Sequence, residues 1–346
     1  MKKGTAAVGF ILGLLLFLSG DPICHGALQV GFYRGKCGFA DVEAIVGGVV
    51  SAQFFTDPSL LASLIRLHFH DCFVNGCDGS ILLDGPDSEK TASPNQSVRG
   101  YEIIDQAKDA VEKICPGVVS CADLIAIAAR DAVFLVRNIL LGFPLEQSGG
   151  GIYRVQTGRR DGLVSSADIA NVTLPGPSIT VPQAIAAFAD KGLTAVDMVL
   201  LLGAHSVGVA HCSFLSERIH NFKGSGKPDP SMDQFTVNTL RSRCPINAIE
   251  NTVNLDQNPF SPLVLDNSYY QNILLRRGVL QIDQELGMNR FTRPIIANLA
   301  NSVDFPARFG AAMVRLGAVG VLTGTQGEIR SSCRVVNKAV NKDKSG

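Results

Sequence analysis

Cysteine parity constrains this chain more than any other feature. The nine cysteines are Cys24, Cys37, Cys72, Cys77, Cys115, Cys121, Cys212, Cys244 and Cys333. The first lies in an opening segment unlike the rest: Lys2 and Lys3 precede an uncharged run from Ala6 to Leu18, with small residues near Cys24-His25-Gly26. Basic, then apolar, then small is the order of a secretory leader. The apolar run is too short for the roughly 20 residues that span a bilayer, and no second run follows, so no membrane partner is expected. Residues 1–26 are expected to be a signal peptide, 27–340 one domain, and 341–346 a loose tail. Loss of Cys24 with the leader leaves eight cysteines. An even set in an exported chain reads as four disulfides, although count alone leaves on the order of a hundred pairings open. Metal thiolates are the rival use, but no second close pair joins Cys72 and Cys77 to complete a zinc-type site.

Without the leader, 29 basic residues face 30 acidic ones. That balance argues against a nucleic-acid partner, which needs a concentrated basic face. Apolar residues recur at helical spacing over 41–56 and 59–72, then over 101–113 and 119–135. The same pattern returns over 181–190, 195–202, 206–218, 231–243, 267–275, 291–300 and 305–318. Residues 75–95 and 142–180 read as mostly irregular, and strand-like runs are few and short. The expected class is all-α, with loops long enough to need disulfides or bound ions.

Arg66, Phe69 and His70 fall at i, i+3 and i+4, so they share one helix face, while His68 points elsewhere. Arginine and histidine are costly to desolvate on such a face unless something uses them. A neutral imidazole accepting a proton beside a fixed guanidinium is a pair suited to acid–base chemistry on an oxygen substrate. Seen alone, the pair also fits a satisfied core. His205 ends the apolar run Met198 to Leu202, where Gly203 and Ala204 leave room for a flat, bulky ligand. A haem iron wants one protein imidazole on one side and the other side open. Asp283, an acid among apolar neighbours, could accept the second ring N–H of such a histidine. A plain core histidine is the alternative. Zinc is weaker still, since no HExxH is present and the six histidines are scattered.

The run from Ser63 to Ser80, carrying Arg66-Leu67-His68-Phe69-His70-Asp71-Cys72, resembles the distal segment of the secreted plant haem peroxidases of class III. Further matches follow in order: Glu89-Lys90-Thr91-Ala92, the segment from Cys115 to Asp123, Gly158-Arg159-Arg160-Asp161-Gly162, the His205 segment, Asp283-Gln284-Glu285-Leu286, and the segment from Leu322 to Arg330. The resemblance runs from about Phe32 to Asn337. It implies a haem peroxidase fold, with haem b between distal and proximal helical halves and two Ca2+ ions. His70 would be the distal acid–base, Arg66 the group that stabilises O–O cleavage, and Asn95 the partner of His70. His205 would ligate iron with Asp283 behind it, Phe69 would stand over the haem edge, and Pro177 would line the aromatic-substrate site. The implied disulfides are Cys37–Cys115, Cys72–Cys77, Cys121–Cys333 and Cys212–Cys244.

The first calcium would take Asp71, Val74, Gly76, Asp78 and Ser80, and the second Ser206, Asp256, Ser261, Val264 and Asp266. Oxygen-only ligation within short loops suits that hard cation. The implied activity is reduction of hydrogen peroxide to water with one-electron oxidation of small phenolic donors, by a monomer in the cell wall or apoplast. A low-turnover haem-binding or structural wall protein on the same scaffold is the alternative. Of two Asn-x-Ser/Thr sequons, Asn171 is the expected glycosylation site, because a glycan on Asn95 would compete with His70. The sequence departs from the family in places. Ser206 and Ser261 replace threonines, and the Asp256 to Asp266 spacing is two residues longer. One residue is missing between Asn95 and Ser97, Gly38 replaces a proline, and 136–152 holds an insertion without the family's tryptophan.

Overall fold

In a computed structural model, residues 27–138, 153–261 and 264–337 are described. The expected leader and tail, and nearly all of the 136–152 insertion, lie outside these residues. The first half is built around four helices: α1 (Val42–Thr56), α2 (Leu60–Val74), α3 (Tyr101–Glu112) and α4 (Cys121–Asn138). Asp41 starts α1 by accepting the Ala44 N–H at 3.1 Å, and α1 ends just before Asp57-Pro58, where a helical conformation is disfavoured. Helix α4 is buried on every side from Cys121 to Arg130. Its alanines let α1, α2 and α3 pack against it closely, so it forms the axis of this half.

The carboxylate of Asp161 accepts the N–H groups of Cys121 and Ala122 at 3.1 and 2.9 Å, placing a negative charge at the start of α4. It also accepts the Arg330 N–H at 2.9 Å. Asp123, in the same first turn, accepts the Tyr33 hydroxyl at 2.6 Å and the Arg159 guanidinium at 2.7 Å. The Gly158 to Gly162 motif therefore anchors the start of α4 to the segment around Arg330.

The remaining helices are α5 (Ala167–Thr173), α6 (Val181–Asp190), α7 (Ala195–Leu202), α8 (Ser216–His220), α9 (Gln234–Arg243), α10 (Ser268–Leu274), α11 (Gln281–Met288), α12 (Arg293–Ala300) and α13 (Phe305–Leu316). Short 3-10 turns and two antiparallel ribbons lie between them: β1 (Gln29–Val30) with β2 (Gln156–Thr157), and β3 (Val209–His211) with β4 (Thr252–Asn254).

Three local expectations need correction. The stretch 206–218 is not one helix. Gly208 sits at φ +89°, which breaks the helical path, and β3 then pairs with β4 in the register Val209↔Asn254. Helix α11 was missed because buried Asp283 and Gln284 interrupt its apolar pattern. The irregular stretch 142–180 contains α5, whose start is capped by Ser166.

Four disulfides join Cys37–Cys115, Cys72–Cys77, Cys121–Cys333 and Cys212–Cys244. The Cys121–Cys333 bridge closes 212 residues and holds the C-terminal segment to the start of α4. A cross-link of that span removes about 5 kcal/mol of chain entropy from the unfolded state in the simplest treatment. Among the described residues, no helix is long and apolar enough to cross a membrane.

Candidate active site

Helix α2 places Arg66 and His70 one turn apart, and the Arg66 Nε donates to His70 Nε2 at 3.2 Å. The ring's other nitrogen, Nδ1, lies 2.5 Å from Asn95 Oδ1. Asn95 is itself fixed, since its Nδ2 donates to the Glu89 carbonyl at 2.8 Å. An amide oxygen can only accept, so Nδ1 carries the proton and Nε2 keeps its lone pair. Burial first, and the Arg66 charge second, push the His70 imidazolium down to about 3. At neutral pH His70 is thus an uncharged base with its tautomer already chosen.

The loop around Asn95 also reaches Arg66. Arg66 Nη1 donates to the Ser97 hydroxyl and carbonyl at 3.1 and 3.3 Å, and Nη2 to the Pro94 carbonyl at 3.0 Å. The guanidinium is held in place by the loop that holds His70. Phe69, half-buried, stacks on Phe73 at 4.6 Å and leans on Phe188 of α6 at 5.9 Å.

His205 lies in a single 3-10 turn, Gly203–Ser206, at the end of α7. Its Nδ1 meets Asp283 Oδ1 at 2.8 Å; the Asp283 side chain is wholly buried, whereas that of His205 is 26% exposed. With Nδ1 donating to a carboxylate, Nε2 is the free lone pair that a metal would use. Gly203 serves the core rather than a ligand, because a Cβ there would sit 2.7 Å from the Phe305 ring. Pro177 is tied to the Asp283 helix, its carbonyl accepting the Ile282 N–H at 3.1 Å.

The donor set fits a haem: an imidazole with an open nitrogen and a buried carboxylate behind it, and a separate imidazole–guanidinium pair left unligated. The two acidic loops likewise fit a hard cation. Asp71 Oδ1 is buried without any hydrogen-bond partner. Burial and the neighbouring acids Asp78 and Glu89 hold the Asp71 carboxyl well above its ordinary range. Glu89 is pushed up to about 8, mainly by burial. Crowded buried carboxylates of this kind call for a positive charge. Gly76 meets the need for a sharp turn at φ +110°, and Ser80 follows in the same buried loop. The Val74 carbonyl accepts from the Lys191 ammonium at 2.9 Å and keeps a second lone pair.

In the second loop Ser206 Oγ is buried and unpartnered. The β3–β4 register brings the Ser206 turn beside Asp256, because Leu255 N–H bonds the Gly208 carbonyl at 3.0 Å. Burial chiefly, with Asp266 nearby, raises the Asp256 carboxyl. Ser268, which the sequence reading passed over, bridges Asp256 and Asp266 through its hydroxyl. Ser261 joins the group through Asn258 at 2.8 Å, and Val264 follows it in the same loop.

His68 points away from the distal pair and lines a cavity of about 10 Å³ with Arg159, Tyr153 and Gly317. That is the volume of about one water. The ligand atoms of His68, Cys72 and Cys77 lie within 4.8 Å of one another, a grouping that could hold an ion. The two sulfurs are joined to each other, so only reduction would free them as ligands. Asn171 is exposed, and lies on α5 rather than in an irregular stretch, while Asn95 is 2% exposed.

A sequence model of the peroxidase family matches residues 46–302 of this chain. It belongs to the class III plant peroxidases. Peroxidase 60 of Arabidopsis thaliana is 49% identical over 96% of this chain and 97% of its own length. Peroxidase 57 of the same plant is 46% identical, covering 97% of this chain and all of its own. Peroxidase 5 of Vitis vinifera is 42% identical, covering 94% of this chain and 96% of its own. Family membership supports a peroxidase role for this protein.

Proposed function

We propose that this class III peroxidase binds haem b through His205 and reduces hydrogen peroxide at the Arg66–His70 pair, taking electrons from small phenols. The observation that carries this reading is the His70 imidazole, held uncharged with its Nδ1 proton on Asn95 and its Nε2 lone pair beside Arg66. Haem would supply the redox centre at which the peroxide O–O bond is cleaved and from which donors are oxidised. His70 Nε2 takes a proton from the attacking oxygen of peroxide and returns it to the departing oxygen, which leaves as water. Throughout, Nδ1–H stays on Asn95, so the ring never needs to change tautomer. Arg66, pinned by Ser97 and Pro94, faces the negative charge that grows as the bond parts.

Asp283 holds the His205 ring in one orientation and leaves its Nε2 lone pair open. The half-exposed Phe69 limits how closely bulky donors approach, and Pro177 supports an aromatic donor near the Asp283 helix. Two calcium ions would brace the loops after His70 and His205 by relieving the buried carboxylates. The apoplast or cell wall suits a chain whose eight cysteines from Cys37 onward are all paired. We read the protein as a monomer, with the exposed Asn171 as the site offered to a glycan. The test is reconstitution with haem b and calcium, followed by guaiacol oxidation with and without peroxide. Peroxide-dependent turnover with a Soret change on adding peroxide supports the reading; haem uptake without either refutes it.

A further inference from the structure

Asp283 accepts three hydrogen bonds in complete burial. Its Oδ2 takes the Leu280 N–H at 3.2 Å, and its Oδ1 takes His205 Nδ1 at 2.8 Å. The same Oδ1 also accepts the hydroxyl of Tyr269 at 2.8 Å. Tyr269 is in α10, 2% exposed, with its ring set edge-on to His205 at 6.1 Å. Packing alone would be met by phenylalanine, and a buried hydroxyl is costly unless it is bonded. This hydroxyl remains a donor at any working pH, because burial and the Asp283 charge hold its proton well above the ordinary phenol range.

We propose that Tyr269 is a positioning residue that tunes the His205–Asp283 pair by competing with His205 for the charge on one carboxylate oxygen. Two donors on the same oxygen divide its negative charge, so each is held less strongly than it would be alone. Tyr269 therefore limits the imidazolate character of His205 and makes an iron held there easier to reduce. The inference rests on the reading of His205 as the haem ligand.

The direction of the effect separates this role from simple anchoring of α10 to α11. In the haem-loaded protein, Tyr269→Phe should move the ferric/ferrous midpoint potential to more negative values and raise the iron–histidine stretching frequency of the ferrous form. Asp283→Ala should move both the opposite way. In the Asp283→Ala background, Tyr269→Phe should then change neither, because the shared acceptor is gone. Should Tyr269→Phe fold poorly, biosynthetic 3-fluorotyrosine keeps the shape and makes a stronger donor. It should raise the potential in the parent protein and not in Asp283→Ala. An unchanged potential in Tyr269→Phe, a shift to positive values, or an equal shift with and without Asp283 would overturn the proposal. If the parent itself shows no iron–histidine band, it is the ligand assignment of His205 that fails.

Discussion

Replacing Asn95 with alanine removes the acceptor that the described residues give the His70 Nδ1 proton, a contact of 2.5 Å at a residue that is 8% exposed. The useful tautomer would then bury an unsatisfied N–H, at a cost of about 1–3 kcal/mol. The ring can escape that cost by moving its proton to Nε2, the atom that has to accept from peroxide. If only the remaining population reacts, the peroxide step should slow by about 5- to 150-fold. Stopped-flow Soret absorbance at limiting peroxide reads this step directly, without a donor. Arg66 keeps its bonds to Ser97 and Pro94 in the variant, so the loss would report on the imidazole. Asn95→Asp supplies the same acceptor with a charge and should retain most of the rate. A rate in Asn95→Ala equal to that of the parent would refute the tautomer argument.

Three further outcomes are expected. The peroxide step should be flat with pH from neutrality to about pH 4 and fall only as His70 protonates near pH 3, since the base must be uncharged to work; an acid limb near pH 6 in stopped-flow data would show a solvated ring instead. Stepwise chelation should release about two calcium ions per haem, with activity and iron spin state changing as they leave, and the ion at Asp256 and Asp266 leaving first; metal analysis finding no calcium in fully active protein would defeat both sites. Glycopeptide mass spectrometry should find a glycan on Asn171 and none on Asn95, and a sugar on Asn95 would contradict its place against His70.

Local periodicity made much of this molecule legible. Helix α2 could be read from its three-to-four repeat, and with it the shared face of Arg66, Phe69 and His70. The alanine-rich α4 was equally plain. What failed were places where distant residues decide the local structure. Val207, Ala210 and Leu215 are spaced like a helix, yet strand pairing with 252–254 and the Cys212–Cys244 bridge bury them in another way. In α11 the burial of Asp283 answers to His205 and Tyr269, which come from other elements, so its own sequence looks broken.

The site shows the same division. The His70 motif is contiguous and was found whole, whereas Glu89 entered only as part of a motif although its carboxyl lies in the acidic cluster of Asp71 and Asp78. Ser268 and Tyr269 carried no signal at all, and Ser97 only that of a sequon and an altered spacing, because a hydroxyl's role depends on which carboxylate or guanidinium folds against it.

If His70 moves the proton when peroxide is cleaved, its removal must slow that step. The most direct measurement is the second-order rate of the peroxide-induced Soret change in haem-loaded His70→Ala, compared with the parent at equal haem content. Loss of a positioned acid–base group should lower that rate by about 10²-fold or more. Added imidazole of suitable size should restore part of it. A His70→Ala protein that reacts with peroxide at the parent's rate would contradict the account.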